Sequence, residues 1–176
     1  IERFEALAGR PPDHLDSHHH VTYMTSDLYN LMAELADELE VPIRRGYPAA
    51  EADAVRLFAS VRGISNEEEA AHLYRVYQEG CRDNALTTDD INLDYYGRHT
   101  TLGDLLLHLV ETAPGTSELM CHPGMVTDAL EETSSYVGYR EQELHALTQR
   151  SARELLTAEG IVLITYGQLE GVSRRV

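Results

Sequence analysis

Asp16, Ser17, His18, His19 and His20 place three imidazoles and a carboxylate within five residues, soon after a loop formed by Gly9, Arg10, Pro11 and Pro12. Neutral imidazole and carboxylate suit zinc or a similar divalent ion, and both groups handle protons near neutral pH. The flanks, His14 and Leu15 before and Val21 and Tyr23 after, predict a strand over 14–20. Alternation would then put His14, Asp16, His18 and His20 on one face and Leu15, Ser17, His19 and Val21 on the other. Burying such a face is costly unless a cation or a hydrogen-bond network compensates the lost water. The run reads as half of a metal site, with a solvated His-rich loop as the plain alternative.

A second candidate is His122, between Cys121 and Pro123, where the proline restricts it to an extended backbone. In parallel α/β proteins, active sites gather at the carboxyl ends of strands. His18 and His20 end the first predicted strand, and His122 ends a second, Glu118 to Cys121. A metal held partly by the first cluster would acidify a bound water and polarise a carbonyl, while His122 across the cleft protonated a leaving amine. The competing reading of His122 is structural, because one His before Pro is a weak signal. His72, His99, His108 and His145 lack acidic companions at ligand spacing and read as surface or core-edge residues.

The elements that must position these groups alternate. Phe4, Leu7 and Ala8 predict a helix over 2–8 stopped by Gly9, and Leu28, Leu31, Met32, Leu35 and Leu39 predict an amphipathic helix. Val41 to Arg44 reads as a short strand, and 46–64 as an irregular segment with helical turns around 52–60. Ser65 with Glu68, and Thr101 with Asp104, are capping boxes opening helices 66–79 and 101–112, the first burying Ala70, Leu73, Val76 and Tyr77. Ile91 to Tyr95 suggests a strand; helices over 139–147 and from Ser151 to Gly160 follow, then Ile161 to Thr165 as an apolar strand buried on both faces. The order argues for α/β with parallel strands in one domain, 1–176.

Composition excludes several functions. The net charge of −16, with 30 acidic against 14 basic residues, opposes a nucleic-acid partner, and no apolar run is long enough to span a membrane. All basic residues are arginine, which removes lysine Schiff-base chemistry and a Walker-type phosphate lysine. Cys81 and Cys121 form no C-x-x-C pattern, so a reducing, cytoplasmic compartment is expected. The chain opens at Ile1 in what reads as the tail of a helix, and an upstream segment is expected.

Gly9, Arg10, Pro11, Pro12 with His14, Leu15, Asp16, Ser17, His18, His19, His20 and Val21 closely resembles a segment of the YdjC-like, or ChbG-like, carbohydrate deacetylases, Gly-Arg-x-Pro-x-His-Leu-Asp-Ser-His-x-His-Val-His. Glu118 to Gly124 resembles that family's second signature, and Ser135, Tyr136, Arg140, Glu141, Glu143, Leu144, Leu147, Thr148, Gly160 and Ile161 follow in its order. The resemblance implies part of a deformed (β/α) barrel and metal-dependent removal of acetyl groups from N-acetylated sugars such as chitooligosaccharides. It assigns His18 as a ligand to a divalent metal, Mg or Zn, and His122 as general acid. It assigns Asp16 to orienting a ligand histidine, His20 to the second shell or the substrate, and Arg140 to a site loop or a substrate oxygen. A salt bridge from Arg140 to Glu141 or Glu143 is the alternative there.

Two departures stand out. The family's Asp-Asp-Phe-Gly and Gly-x-His-Leu segments, which supply a ligand, the general base and a second His ligand, do not occur, and Thr22 replaces the last His of the first motif. The chain therefore resembles the C-terminal portion of such an enzyme. Unpaired strand edges of a half barrel lead us to expect a homo-oligomer. The competing functions are a catalytically incomplete remnant acting as a sugar-binding or interaction module, and a metallohydrolase of phosphate esters, the latter opposed by the missing lysine and the acidic charge.

Overall fold

Thr25 accepts the Leu28 N–H on its hydroxyl and so opens a helix whose apolar positions recur every three or four residues. This is α2 (Ser26–Leu39), and it turns Met32, Ala33 and Ala36 inward. The computed structural model describes residues 1–83 and 85–169. Before α2 come α1 (Glu2–Ala8), closed by left-handed Gly9, and a 3-10 turn over His18–Tyr23. After it come α3 (Glu51–Arg62), α4 (Glu67–Gly80), β1 (Asp90–Asn92), α5 (Leu102–Glu111), β2 (Ser117–Leu119), α6 (Asp128–Thr133), α7 (Gly138–Leu147) and α8 (Arg150–Ala158). A last 3-10 turn spans Tyr166–Gln168. The fold is mixed α/β, mostly helical with a small parallel sheet.

Contacts divide it into two compact units, residues 1–91 with the described residues from 164 onward, and residues 92–163. In the first unit Tyr23, Met32, Ile43, Tyr47, Phe58 and Tyr74 form a core rich in aromatic edges, with Tyr47 5.4 Å from Tyr74 and 6.0 Å from Phe58. Leu15 and Ile43 pair as a parallel bridge, through Leu15 N–H to Pro42 O and Arg44 N–H to Leu15 O, and Ile43 donates onward to Leu86 O. In the second unit Tyr95, Leu105, Ala146 and Ala152 form the core, where α5 meets α7 and α8. β1 and β2 pair in a two-stranded sheet, continued by the Met120 N–H to Asn92 O bond.

Three expectations are corrected. Residues 14–20 are not a strand: pairing stops at Leu15 because His19 and His20 take left-handed φ of 53° and 59°, which no strand accommodates. The apolar run from Ile161 to Thr165 forms no strand among the described residues, and Val162 and Leu163 are 78% and 77% exposed. In α4 the inward residues are Ala70 and Tyr74, while Leu73 and Val76 face water, and its cap is Asn66 rather than Ser65. The Thr101 and Asp104 capping box of α5 stands as read.

Candidate functional site

The His-rich segment is a tight turn built on two polar anchors. Asp16 accepts the Ser17 N–H at 2.6 Å and the Arg44 guanidinium at 2.6 Å, and the buried Ser17 hydroxyl accepts the Thr22 N–H at 2.8 Å. Between those anchors the chain must double back, and His19 and His20 absorb the reversal in the left-handed region, at a cost for residues with a Cβ. The four groups expected on one strand face are therefore dispersed. His14 bonds Asp13 at 2.8 Å and stacks on Tyr166 at 4.3 Å, while His18 is exposed and meets only the edge of the His19 ring at 4.2 Å among the described contacts.

His20 turns inward. Its Nε2 donates to the Gly46 carbonyl at 2.9 Å, its ring lies edge-on to Tyr23 at 5.3 Å, and burial holds its pKa below the ordinary 6.5. Gly46 is where it is because a Cβ there would stand 2.4 Å from the Tyr23 ring. Gly46 also lines a cavity of about 290 Å³ with Tyr23, Arg44, Arg45, Tyr47 and Tyr77. Arg44 is a residue the sequence reading passed over; its partnership with Asp16 shows only in three dimensions.

A metal fits this turn in part. His18 has the right chemistry and is accessible, but a zinc or magnesium site needs several converging donors. Among the described residues no three His, Cys, Asp or Glu converge to hold an ion. The Asp16 carboxylate is engaged by Arg44 and by its own backbone.

The second unit carries His122 on the loop after β2, braced from α7. Arg140 and Glu143 stand at i and i+3 on α7, Tyr136 lies two residues before its start, and all three bond to the His122 loop or to each other. Arg140 donates from Nε to Tyr136 O at 2.7 Å and from Nη1 to His122 O at 3.2 Å. Glu143 is wholly buried; one oxygen accepts the His122 N–H and the other accepts the Tyr136 hydroxyl at 2.5 Å. Gly124 N–H to Arg140 O and Val126 N–H to Glu141 complete the clamp. Neither alternative salt bridge of Arg140 forms; its partners are carbonyls.

Around the His122 imidazole stand two rings. Tyr96 and Tyr136 stack on each other at 4.4 Å, and His122 meets each at 5.5 Å with planes steeply inclined. Burial, and then the hydrogen bond to Glu143, raise the Tyr136 pKa well above its ordinary 10, so its phenol stays a donor. Tyr95 is pushed up to about 12 by burial, with the Glu143 charge adding to it. This site holds an imidazole by its backbone beside an aromatic surface, an arrangement suited to proton transfer on a ligand with an apolar face. Sequence reasoning named His122 and Arg140, offered Glu143 only as a salt-bridge partner of Arg140, and gave no role to Tyr136 or Tyr96. The i, i+3 spacing of Arg140 and Glu143 was the available signal.

A family model of YdjC-like proteins matches residues 1–158. Among curated relatives, proteins named chitooligosaccharide deacetylase from Yersinia pestis (strain Pestoides F) and Yersinia pseudotuberculosis serotype O:1b (strain IP 31758) are each 30% identical over 169 residues, 94% of this chain and 56% of the relative. The chain thus spans about half the length of the curated relatives it matches. A crystal structure of an Enterococcus faecalis V583 protein, provisionally named for cellobiose-phosphate cleavage, superposes with a TM-score of 0.68 at 26% identity, over 96% of this chain and 57% of that one.

Proposed function

The chain belongs to the YdjC-like family, and on that premise we propose that it is part of a hydrolase that removes acetyl groups from N-acetylated sugars such as chitooligosaccharides. The observation that carries this reading is the clamped His122, held from both its N–H and its carbonyl beside the Tyr96 and Tyr136 rings. In this reading His122 gives a proton to the leaving amine, and the tyrosine rings face the apolar side of a sugar. Arg140 fixes the loop through its carbonyls. His18 supplies one ligand to a divalent ion, Mg or Zn, which when bound acidifies water and polarises a carbonyl. The remaining donors would come from outside the described residues, and a deformed (β/α) barrel is the architecture we propose for the whole. The curated relatives' names and the parallel Leu15 and Ile43 pairing support this reading.

The test is acetate release from N-acetylated chitooligosaccharides by protein purified with its metal. His122→Ala should lower kcat by about 10²- to 10⁴-fold, the range of a lost acid or base. An unchanged rate would end the assignment. A second reading, a sugar-binding module without catalysis, is favoured by the absence of a three-donor cluster among the described residues. Saturable oligosaccharide binding without acetate release, metal supplied, would select it.

A further inference from the structure

Glu143 has no exposed surface, and its two carboxylate oxygens are met by a main-chain N–H and a phenol. Burying a carboxylate is costly, and a leucine or glutamine would fill the same volume more cheaply. What the carboxylate does have is two donors: the main-chain N–H of His122 and the phenol of Tyr136. Bonds from N–H and O–H groups to a carboxylate are stronger than those to a neutral amide and hold their partners more rigidly. Tyr136 is itself tied back, accepting the Gly97 N–H at 3.1 Å and stacking on Tyr96. One buried charge thus joins the backbone of His122 to the aromatic ring beside its imidazole.

We propose that Glu143 is the positioning residue for His122, its carboxylate fixing the His122 main chain and the Tyr136 ring while its negative charge favours the protonated imidazole. The proposal rests on the reading of His122 as proton donor. A proton donor must be protonated before the transfer, and a negative charge bonded to the same residue's main-chain N–H raises that population. Tyr136 serves as the rigid link, and burial with its bond to Glu143 raises its pKa, so it stays the donor. α7 supplies the device because Glu143 lies on the same face as Arg140, whose fork holds the opposite side of the same loop.

The experiment is a pH titration of the His122 imidazole by NMR in the full chain, in the native protein, in Glu143→Gln and in Tyr136→Phe. Glu143→Gln keeps the shape and removes the charge, and the His122 pKa should fall by about half a unit to one unit. Tyr136→Phe removes one donor and leaves the charge, so the pKa should stay within a few tenths of native. Equal titration of native and Glu143→Gln protein would overturn the proposal. Should Glu143→Gln fail to fold, amide exchange in the native protein decides. The His122 N–H should be protected at least tenfold more than the N–H of the exposed Met125 on the same loop, and equal exchange would overturn it. These readouts need no turnover, so an inactive Glu143→Gln with an unmoved titration, or a normal titration shift with an active His122→Ala, separates this proposal from the deacetylase reading.

Discussion

His20 donates Nε2–H to the Gly46 carbonyl at 2.9 Å, which fixes the neutral ring as the Nε2–H tautomer and leaves Nδ1 with the lone pair. Burial lowers its pKa from 6.5, so the unfolded chain takes up this proton before the folded one does. The stability that neutral His20 contributes is full above the ordinary value and is lost as pH falls from there through the depressed folded value. Thermal melts between pH 8 and 5 should show this slope, and His20→Gln, which keeps a donor for Gly46 but cannot protonate, should flatten it. Parallel slopes in the two proteins would mean that His20 is not buried as described.

The same contact makes Gly46 a sensitive position. A Cβ there would lie 2.4 Å from Tyr23 Cδ1, and Tyr23 is fully buried with its hydroxyl donating to Arg44 O at 2.6 Å. Gly46→Ala must displace that ring and should cost about 1–3 kcal/mol, as overpacked cores do. A urea midpoint equal to native would show that Tyr23 can move without loss.

Asp16 and His18 stand two residues apart and should answer differently to substitution. Asp16 binds Arg44 and the Ser17 N–H, so Asp16→Asn should lower stability by about 1 kcal/mol or less for a partly exposed pair and leave metal affinity alone. His18→Ala should lower metal affinity with little effect on the melt. Isothermal titration with Zn²⁺ of the protein prepared with its full metal site checks both. A tenfold affinity loss in Asp16→Asn would instead restore the orienting role read from the sequence.

The helices were legible because their signals are local. The Thr101 and Asp104 box and the apolar spacing of α2 act within a few residues, and they appear where read. The strand over 14–20 failed because alternation of residue types says nothing of the backbone reversal at His19 and His20, which depends on Ser17 reaching Thr22 and Asp16 reaching Arg44. Ile161 to Thr165 failed for a related reason: an apolar run becomes a strand only where another strand pairs with it. His122 was visible through its proline, whereas Glu143 was not, since a glutamate in a polar helix looks solvated until its burial is known.

Tyr96 is 48% exposed while its ring stacks on Tyr136 and stands 5.5 Å from His122. On the deacetylase reading, an exposed ring at that distance would meet the apolar face of the sugar. Tyr96→Ala should raise KM for N-acetylated chitooligosaccharides by roughly fivefold, about 1 kcal/mol of ring contact, and Tyr96→Phe should stay near native. A fall in kcat at constant KM would assign the ring to supporting His122 alone.

Arg140 tests whether the clamp or the substrate is its partner. Its Nε and Nη1 reach two carbonyls, Tyr136 O and His122 O, and its guanidinium lies 5.5 Å from the centre of the Tyr136 ring. A lysine can satisfy one carbonyl but has no planar fork to span both. Losing one charge-assisted bond to the loop should misplace His122 in the transition state more than it weakens substrate binding. Arg140→Lys should therefore lower kcat about tenfold, roughly 1.4 kcal/mol, at nearly constant KM, and Arg140→Ala should lower it further. The opposite split, KM raised and kcat unchanged, would mean that the guanidinium leaves these carbonyls to hold a substrate oxygen.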